Sequence, residues 1–186
     1  MEINSYGAGI FTVKDFLNPA ECNQYIQLSE NVGYDLASIQ TAEGPKFIEA
    51  IRNNGRVIFD DFNMAETLFA RAKTFLPSEI DGWEVKGLNE RWRFYRYTGE
   101  QYFKWHKDGY FQRSENEVSL LTFIIYLNNE FEGGETQFSW EWIKPETGMV
   151  LVFPHRIMHQ GAALISGTKY VLRPDVMYQR PFLIKN

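Results

Sequence analysis

At 186 residues, with 44% hydrophobic and 16% aromatic side chains, the chain can bury a core as a single domain, which excludes an intrinsically disordered protein. Its formal net charge of -5 argues against nucleic acid as the main partner, because phosphate binding needs a basic surface. The single cysteine, Cys22, allows no internal disulfide, residues 1–5 carry no secretory leader pattern, and no apolar run nears the ~18 residues of a membrane span, so a cytoplasmic protein with no membrane partner is expected.

Residues 9–13 read as a first strand. A helix follows, in which Asn18 suits the N-cap, Pro19 the first helical position and Glu21 the reciprocal capping position; it should run to about Asn31 and stop near Gly33. Residues 34–60 show no clean period. Turns at Gly44-Pro45 and Asn53-Asn54-Gly55 suggest a long loop, or a loop with short strands, in which Arg52, Asn53 and Asn54 could meet a substrate. The spacing of Ala65, Leu68, Phe69, Ala72, Phe75 and Leu76 predicts an amphipathic helix over 63–76, capped by Asn63, with Glu66 at the box position and Pro77 as the stop.

From residue 91 the period changes to two. Trp92 and Phe94 share one face of a strand, and Arg93, Tyr95 and Tyr97 the other. A turn at Thr98-Gly99-Glu100 leads to a strand over 103–106. Residues 109–117 form a polar loop, a candidate lid. Residues 118–127 are apolar on both faces and read as a central strand. Gly133-Gly134 and residues 145–148 mark turns before strands at 135–138 and 149–153. The last strand, 169–178, is interrupted by Pro174, which suggests an edge or a bulge. Helices early and short strands late make an α+β protein, with a β-sandwich or small barrel supported by the helices.

His106 and Asp108 are two apart, so on an extended strand they aim at one point while Lys107 turns away. The three histidines, His106, His155 and His159, all lie at the ends of apolar strands. Two His and one carboxylate on one face of a metal, with other positions open, suit non-haem Fe(II) that also takes a co-substrate and O₂. His155 competes with His159 for the second imidazole; Pro154 and the short 154–158 segment favour a loop, and His159 is preferred.

Over residues 88–180 the chain resembles the 2-oxoglutarate/Fe(II) dioxygenases, in their prolyl 4-hydroxylase-like branch. The resemblance is carried by Tyr97, Gly99, Phe103 and His106-x-Asp108; by Tyr126-Leu127-Asn128, Gly133-Gly134-Glu135-Thr136, Pro145, Gly148 and Phe153; and by His159-x-Gly161 and Gly167-x-Lys169. It implies a double-stranded β-helix (jelly roll) with supporting N-terminal helices: one domain over 1–186, with 1–87 as helical support and loops and 88–180 as the core. His106, Asp108 and His159 match its iron ligands, Lys169 the cation for the distal carboxylate of 2-oxoglutarate, Tyr126 a hydroxyl on that carboxylate, and Tyr97 a residue lining the same pocket. Strand parity puts Arg173 on the face of Lys169, pointing to the metal end, where a guanidinium would favour a substrate carboxylate or the keto-acid end of 2-oxoglutarate.

The implied activity is hydroxylation of an unactivated C–H bond in a small molecule, amino acid or prolyl/peptide substrate, with 2-oxoglutarate converted to succinate and CO₂. The implied cofactors are Fe(II), 2-oxoglutarate and O₂, with ascorbate as a further candidate. Two other readings compete. A metal-dependent jelly-roll enzyme without 2-oxoglutarate leaves Lys169 and Tyr126 without a task, and a non-catalytic binding module leaves the intact triad without one. The sequence names no oligomeric state.

Overall fold

Alternation of inward and outward side chains draws most of the chain into two facing antiparallel sheets. The computed structural model describes residues 1–181. The N-terminal part comprises β1 (Ile3–Ser5), β2 (Phe11–Val13), α1 (Pro19–Val32), β3 (Asp35–Leu36), β4 (Ile39–Thr41), β5 (Gly44–Lys46), β6 (Gly55–Asp60), α2 (Phe62–Ala72), β7 (Glu79–Ile80) and β8 (Trp83–Leu88). Then come β9 (Arg91–Thr98), β10 (Phe103–His106), β11 (Gln112–Ser114), β12 (Glu117–Tyr126), β13 (Phe131–Gly133), β14 (Thr136–Phe138) and β15 (Trp142–Ile143). The chain closes with β16 (Val150–Pro154), β17 (His159–Gly161), β18 (Leu164–Arg173) and β19 (Asp175–Gln179). The larger sheet runs β1-β2-β16-β12-β18-β9-β6-β3, with β19 joining β12 to β8; the smaller runs β10-β17-β14-β15. This is the double-stranded β-helix that the resemblance implies, with two supporting helices.

The larger sheet is buried on both faces. Trp92, Phe94, Phe123, Ile125, Val150, Val152 and Leu172 turn one way, into a core shared with Cys22, Met64, Ala65 and Leu68 of the helices. Their strand neighbours Tyr95, Tyr97, Tyr126, Leu151, Phe153 and Val171 turn the other way, into the space between the sheets. Burying both faces explains why β12 shows no polar alternation.

The first helix forms as its sequence dictates. The Asn18 side chain accepts from the Glu21 amide, the Glu21 carboxylate accepts from the Asn18 amide, and Gly33 closes the helix. The second differs from expectation. Asp61 is its cap, accepting from the Met64 amide at 2.9 Å, and the helix ends at Ala72. An anionic cap completes the positive end of the helix better than the neutral Asn63 two residues later. Leu76 stays in the core through a turn in which the Phe75 and Leu76 amides both donate to the Ala72 carbonyl.

The segment 34–60 carries short strands, as one of its two readings had it, and β6 joins the larger sheet, pairing with β9 from Gly55↔Arg96 to Asp60↔Arg91. Two other expectations change. The polar stretch 109–117 contains β11, hydrogen-bonded to β12. Pro174 divides the last strand into β18 and β19, and it lies at neither an edge nor a bulge. Register against β12 is continuous across it, with Thr122↔Asp175 and Ile125↔Leu172, and the Phe123 amide donates to the Pro174 carbonyl. On the other side β9 pairs with β18 as far as Arg173↔Arg93, and β8 takes over at Val176↔Leu88, so the missing proline N–H falls between two partners.

Gly148 ties the N-terminal segment to this framework. Its carbonyl accepts from the Phe16 and Leu17 amides, its φ is +77°, and a Cβ there would lie 2.0 Å from the Leu17 carbonyl oxygen. Gly148→Ala is expected to destabilise the protein by at least about 2 kcal/mol, from strain plus displaced backbone. Chemical denaturation would show a lower midpoint at unchanged slope; an unchanged midpoint would refute the contact.

Candidate active site

The smaller sheet brings the two histidines together. β10 and β17 pair with His106 directly opposite His159, and the ring centroids are 4.2 Å apart. Each ring is fixed by its Nδ1, on the Lys104 carbonyl at 2.6 Å for His106 and on the Ile157 carbonyl at 2.9 Å for His159. Nδ1 therefore donates in both, which leaves Nε2 as the nitrogen turned toward Asp108. Both Nε2 atoms lie 3.6 Å from an oxygen of Asp108. The three donor atoms fall within 4.8 Å of one another, a spacing that one ion can span.

Asp108 is held from behind. Thr122 Oγ donates to its Oδ2 at 2.7 Å, and Arg173 Nη1 lies 2.9 Å from its Oδ1. Burial alone would raise its pKa, but the Arg173 charge and both imidazoles hold the carboxyl well below its ordinary range. Burial pushes His159 down to about 4, so it is a neutral donor near pH 7. Asp108 is thus anionic and His159 neutral, the states metal binding requires.

Thirteen residues from both sheets line the cavity in front of this triad. At one end sit Lys169, Tyr97 and Tyr126. The Lys169 ammonium is 4% exposed and lies 5.2 and 5.5 Å from the ring centroids of Tyr97 and Tyr126. It donates to the Gly134 carbonyl, and among the described residues no carboxylate pairs with it. The Tyr126 hydroxyl is 2.7 Å from Thr136 Oγ. At the other end Arg173 spans Asp108 and Asp175, with Nη2 3.1 Å from Asp175 Oδ1, and Arg93 Nη1 takes Asp175 Oδ2 at 3.0 Å. The seven residues expected to hold the metal or co-substrate therefore all line this cavity. Residues 92–173, which carry all seven, match the family model described as the 2OG-Fe(II) oxygenase superfamily.

The match supports a 2-oxoglutarate/Fe(II)-dependent dioxygenase of the prolyl 4-hydroxylase-like type. A "Putative prolyl 4-hydroxylase" of Acanthamoeba polyphaga mimivirus is 25% identical over 183 residues, covering 87% of this chain and 71% of its own. Two solved structures share the fold, each with a TM-score of 0.68. The viral collagen prolyl hydroxylase of Paramecium Bursaria Chlorella virus-1, solved with 2OG, is 22% identical over 92% of this chain and 97% of its own. A Trichoplax adhaerens prolyl hydroxylase, solved with a hypoxia inducible factor peptide fragment, is 16% identical over 93% of this chain and 84% of its own. Among the described residues of the oxygenase, no helix is long and apolar enough to cross a membrane.

Further polar residues stand around these seven. His155, weighed as an alternative ligand, is buried, with Nδ1 2.8 Å from Thr122 Oγ and Nε2 2.9 Å from Ser119 Oγ. Both its nitrogens are engaged, so it stands behind Asp108 and not beside it. Thr122 shares the strand face of Tyr126, which was visible from parity; its bond to Asp108 depends on a fold-back that no local signal marks. Arg52 lies inside the barrel, its guanidinium carbon 4.3 Å from the Tyr95 ring centroid and 4.4 Å from that of Phe103.

Burial drives the Lys169 pKa down to about 7, against 10.5 for the free side chain. A lysine depressed in the folded state binds fewer protons there than when unfolded. Between pH 7 and 10.5 its contribution to stability therefore rises with pH. Denaturant titrations of the metal-free oxygenase across this range should show that upward slope, and Lys169→Met should lose it. A slope unchanged by the substitution would mean that the ammonium is hydrated.

Proposed function

We propose that the oxygenase hydroxylates an unactivated C–H bond of an amino acid, peptide or other small molecule, releasing succinate and CO₂, with His106, Asp108 and His159 holding Fe(II). The observation that carries this reading is the convergence of two Nε2 atoms and one anionic carboxylate, with both Nδ1 protons committed to carbonyls. Two imidazole nitrogens and an anionic carboxylate make a donor set that would fit a divalent ion beside the cavity. Bound Fe(II) with 2-oxoglutarate and O₂ supplies the oxidising chemistry; the protein's own residues position and enclose it.

Lys169 takes the distal carboxylate of 2-oxoglutarate. A buried ammonium with only a carbonyl partner is costly, and an arriving carboxylate offsets that cost while meeting the cation its own desolvation requires. Tyr126 stands ready beside it: its hydroxyl can donate to the co-substrate while accepting from Thr136. Tyr97 closes the same end against water, its ring packed on the Lys169 ammonium. At the other end Thr122 and Arg173 fix the Asp108 carboxylate, so it would meet a bound ion without reorientation. Arg173 is set there to meet the keto-acid end of 2-oxoglutarate or the substrate. Ascorbate, as a reductant of the metal, and a cytoplasmic setting complete the reading. The peptide fragment in the Trichoplax neighbour supports keeping peptides among the substrates.

The decisive experiment is anaerobic. Fe(II) and then 2-oxoglutarate added to the purified protein should give the weak visible charge-transfer band of a chelated keto-acid. His159→Ala should abolish the band. Lys169→Ala should move its half-saturation to at least about tenfold higher 2-oxoglutarate, the loss of one charge-assisted contact. Iron binding without a band would remove 2-oxoglutarate from the proposal; no metal binding would remove both.

A further inference from the structure

Two buried side-chain polar atoms among the described residues have no hydrogen-bond partner: Nη2 of Arg52 and Nε of Arg173. Both are cationic donors, and both belong to side chains against Tyr95. Arg52 stacks on its ring, and the Tyr95 hydroxyl supports the Arg173 charge. Buried donors without acceptors are rare in folded proteins and call for an explanation.

Arg52 is the less compensated of the two. It is 4% exposed, its Nε donates to Asn54 Oδ1 at 2.7 Å, and no carboxylate pairs with it among the described residues. Its direction follows from backbone pairing. Arg52 forms an antiparallel bridge with Phe103, flanked by the bonds Lys104 amide to Ile51 carbonyl and Asn53 amide to Tyr102 carbonyl. Cross-strand partners share a face, and Phe103 lines the cavity, so Arg52 points into the barrel. Its guanidinium spans Phe103 of the smaller sheet and Tyr95 of the larger.

We propose that Arg52, with Arg173 beyond Tyr95, forms a second anion subsite of the cavity that takes a carboxylate of the primary substrate. The substrate class is then an acid: a free amino acid, or a peptide or small molecule presenting a carboxylate. The inference rests on the functional reading above, in which Lys169 serves the co-substrate. Lys169 and Arg173 are four residues apart on one strand face, about 13 Å along β18. A co-substrate whose distal carboxylate sits at Lys169 leaves the Arg52 end for another molecule. Charge supports the same assignment. Around Tyr95 stand four guanidiniums, Arg52, Arg56, Arg93 and Arg173. Of these, Arg93 and Arg173 pair with Asp175, and Arg173 also with Asp108, while Arg52 pairs with no carboxylate among the described residues. Tyr95 registers this field: burial alone would raise its pKa, yet Arg173, Arg52 and Arg93 bring it below the ordinary tyrosine value.

The test uses crystals of the protein loaded with Mn(II) and 2-oxoglutarate and soaked in sodium bromide. The expected result is an anomalous bromide peak in hydrogen-bonding range of Arg52 Nη2, displaced by acetate and absent in Arg52→Gln. A parallel anaerobic titration should show 2-oxoglutarate affinity changed less than twofold in Arg52→Gln. Two results would overturn the proposal: the keto-acid carboxylate of 2-oxoglutarate seated on Arg52, with a tenfold or greater loss of its affinity in the variant, or Nη2 satisfied by water alone with no anion peak. The wild-type map decides between them even where the variant does not fold. Failure of Mn(II) or 2-oxoglutarate to bind counts against the functional reading instead, and the bromide map of the unloaded protein still tests the subsite.

Discussion

Strand parity in the larger sheet is the constraint on which the rest depends. Side chains of β9, β12, β16 and β18 alternate between the helix-packed core and the cavity, and the pairing Lys169↔Tyr97, Val171↔Tyr95 sets which residues face each other inside. A slip of one residue between β9 and β18 would exchange the faces, sending Trp92 and Phe94 into the cavity and Tyr95 and Tyr97 under the helices. Fold stability and site geometry are therefore one specification. The large aromatics on the outer face lock the register, and the register aims the lysine, the tyrosines and the arginine.

Within that frame the site is a chain of buried charges running along the cavity. Asp108, Arg173, Asp175 and Arg93 alternate in sign, and each contact is about 3 Å. Buried ions are stable only when their partners are held in good geometry. Here the geometry comes from the strands: Arg93 and Arg173 are register partners on β9 and β18, and Asp175 lies just past the proline break. Lys169, at the far end, has only the Gly134 carbonyl and no carboxylate in contact among the described residues.

What was legible in the sequence was local. The capping box of α1 and the two-residue alternation of β9 depend on neighbours in the chain, and both appear as read. The cap of α2 was displaced because two acceptors, Asp61 and Asn63, compete within three positions and the anionic one wins. β6 was hidden because Arg56 and Asp60 interrupt its apolar pattern; Arg56 reaches back to Ser38 instead of marking a solvent face. The seven site residues could be listed from spacing, parity and resemblance. Their connections could not, because Asp108 meets Thr122 and Arg173 across 14 and 65 positions of sequence. Arg52 was suggested only as a loop residue that could touch substrate, and its burial between two rings arises from a bridge to β10 that no local pattern encodes.

The bonds behind Asp108 also have a fixed polarity. Thr122 has one hydroxyl hydrogen and gives it to the carboxylate, so it must accept from His155 Nδ1–H. His155 Nε2 is then an acceptor, and Ser119 must give it its own hydrogen. The Ser119 oxygen in turn receives the Phe111 amide at 2.8 Å. Every donor points the same way, from the backbone of the 109–117 stretch to the carboxylate between the two histidines. Burial holds His155 neutral, which keeps the line unidirectional. A single proton added to its ring would put two hydrogens face to face at Ser119 and reverse the chain there. The turn after Asp108 is therefore joined to it twice, through three residues of covalent backbone and through an oriented dipole relay that only a neutral imidazole can complete.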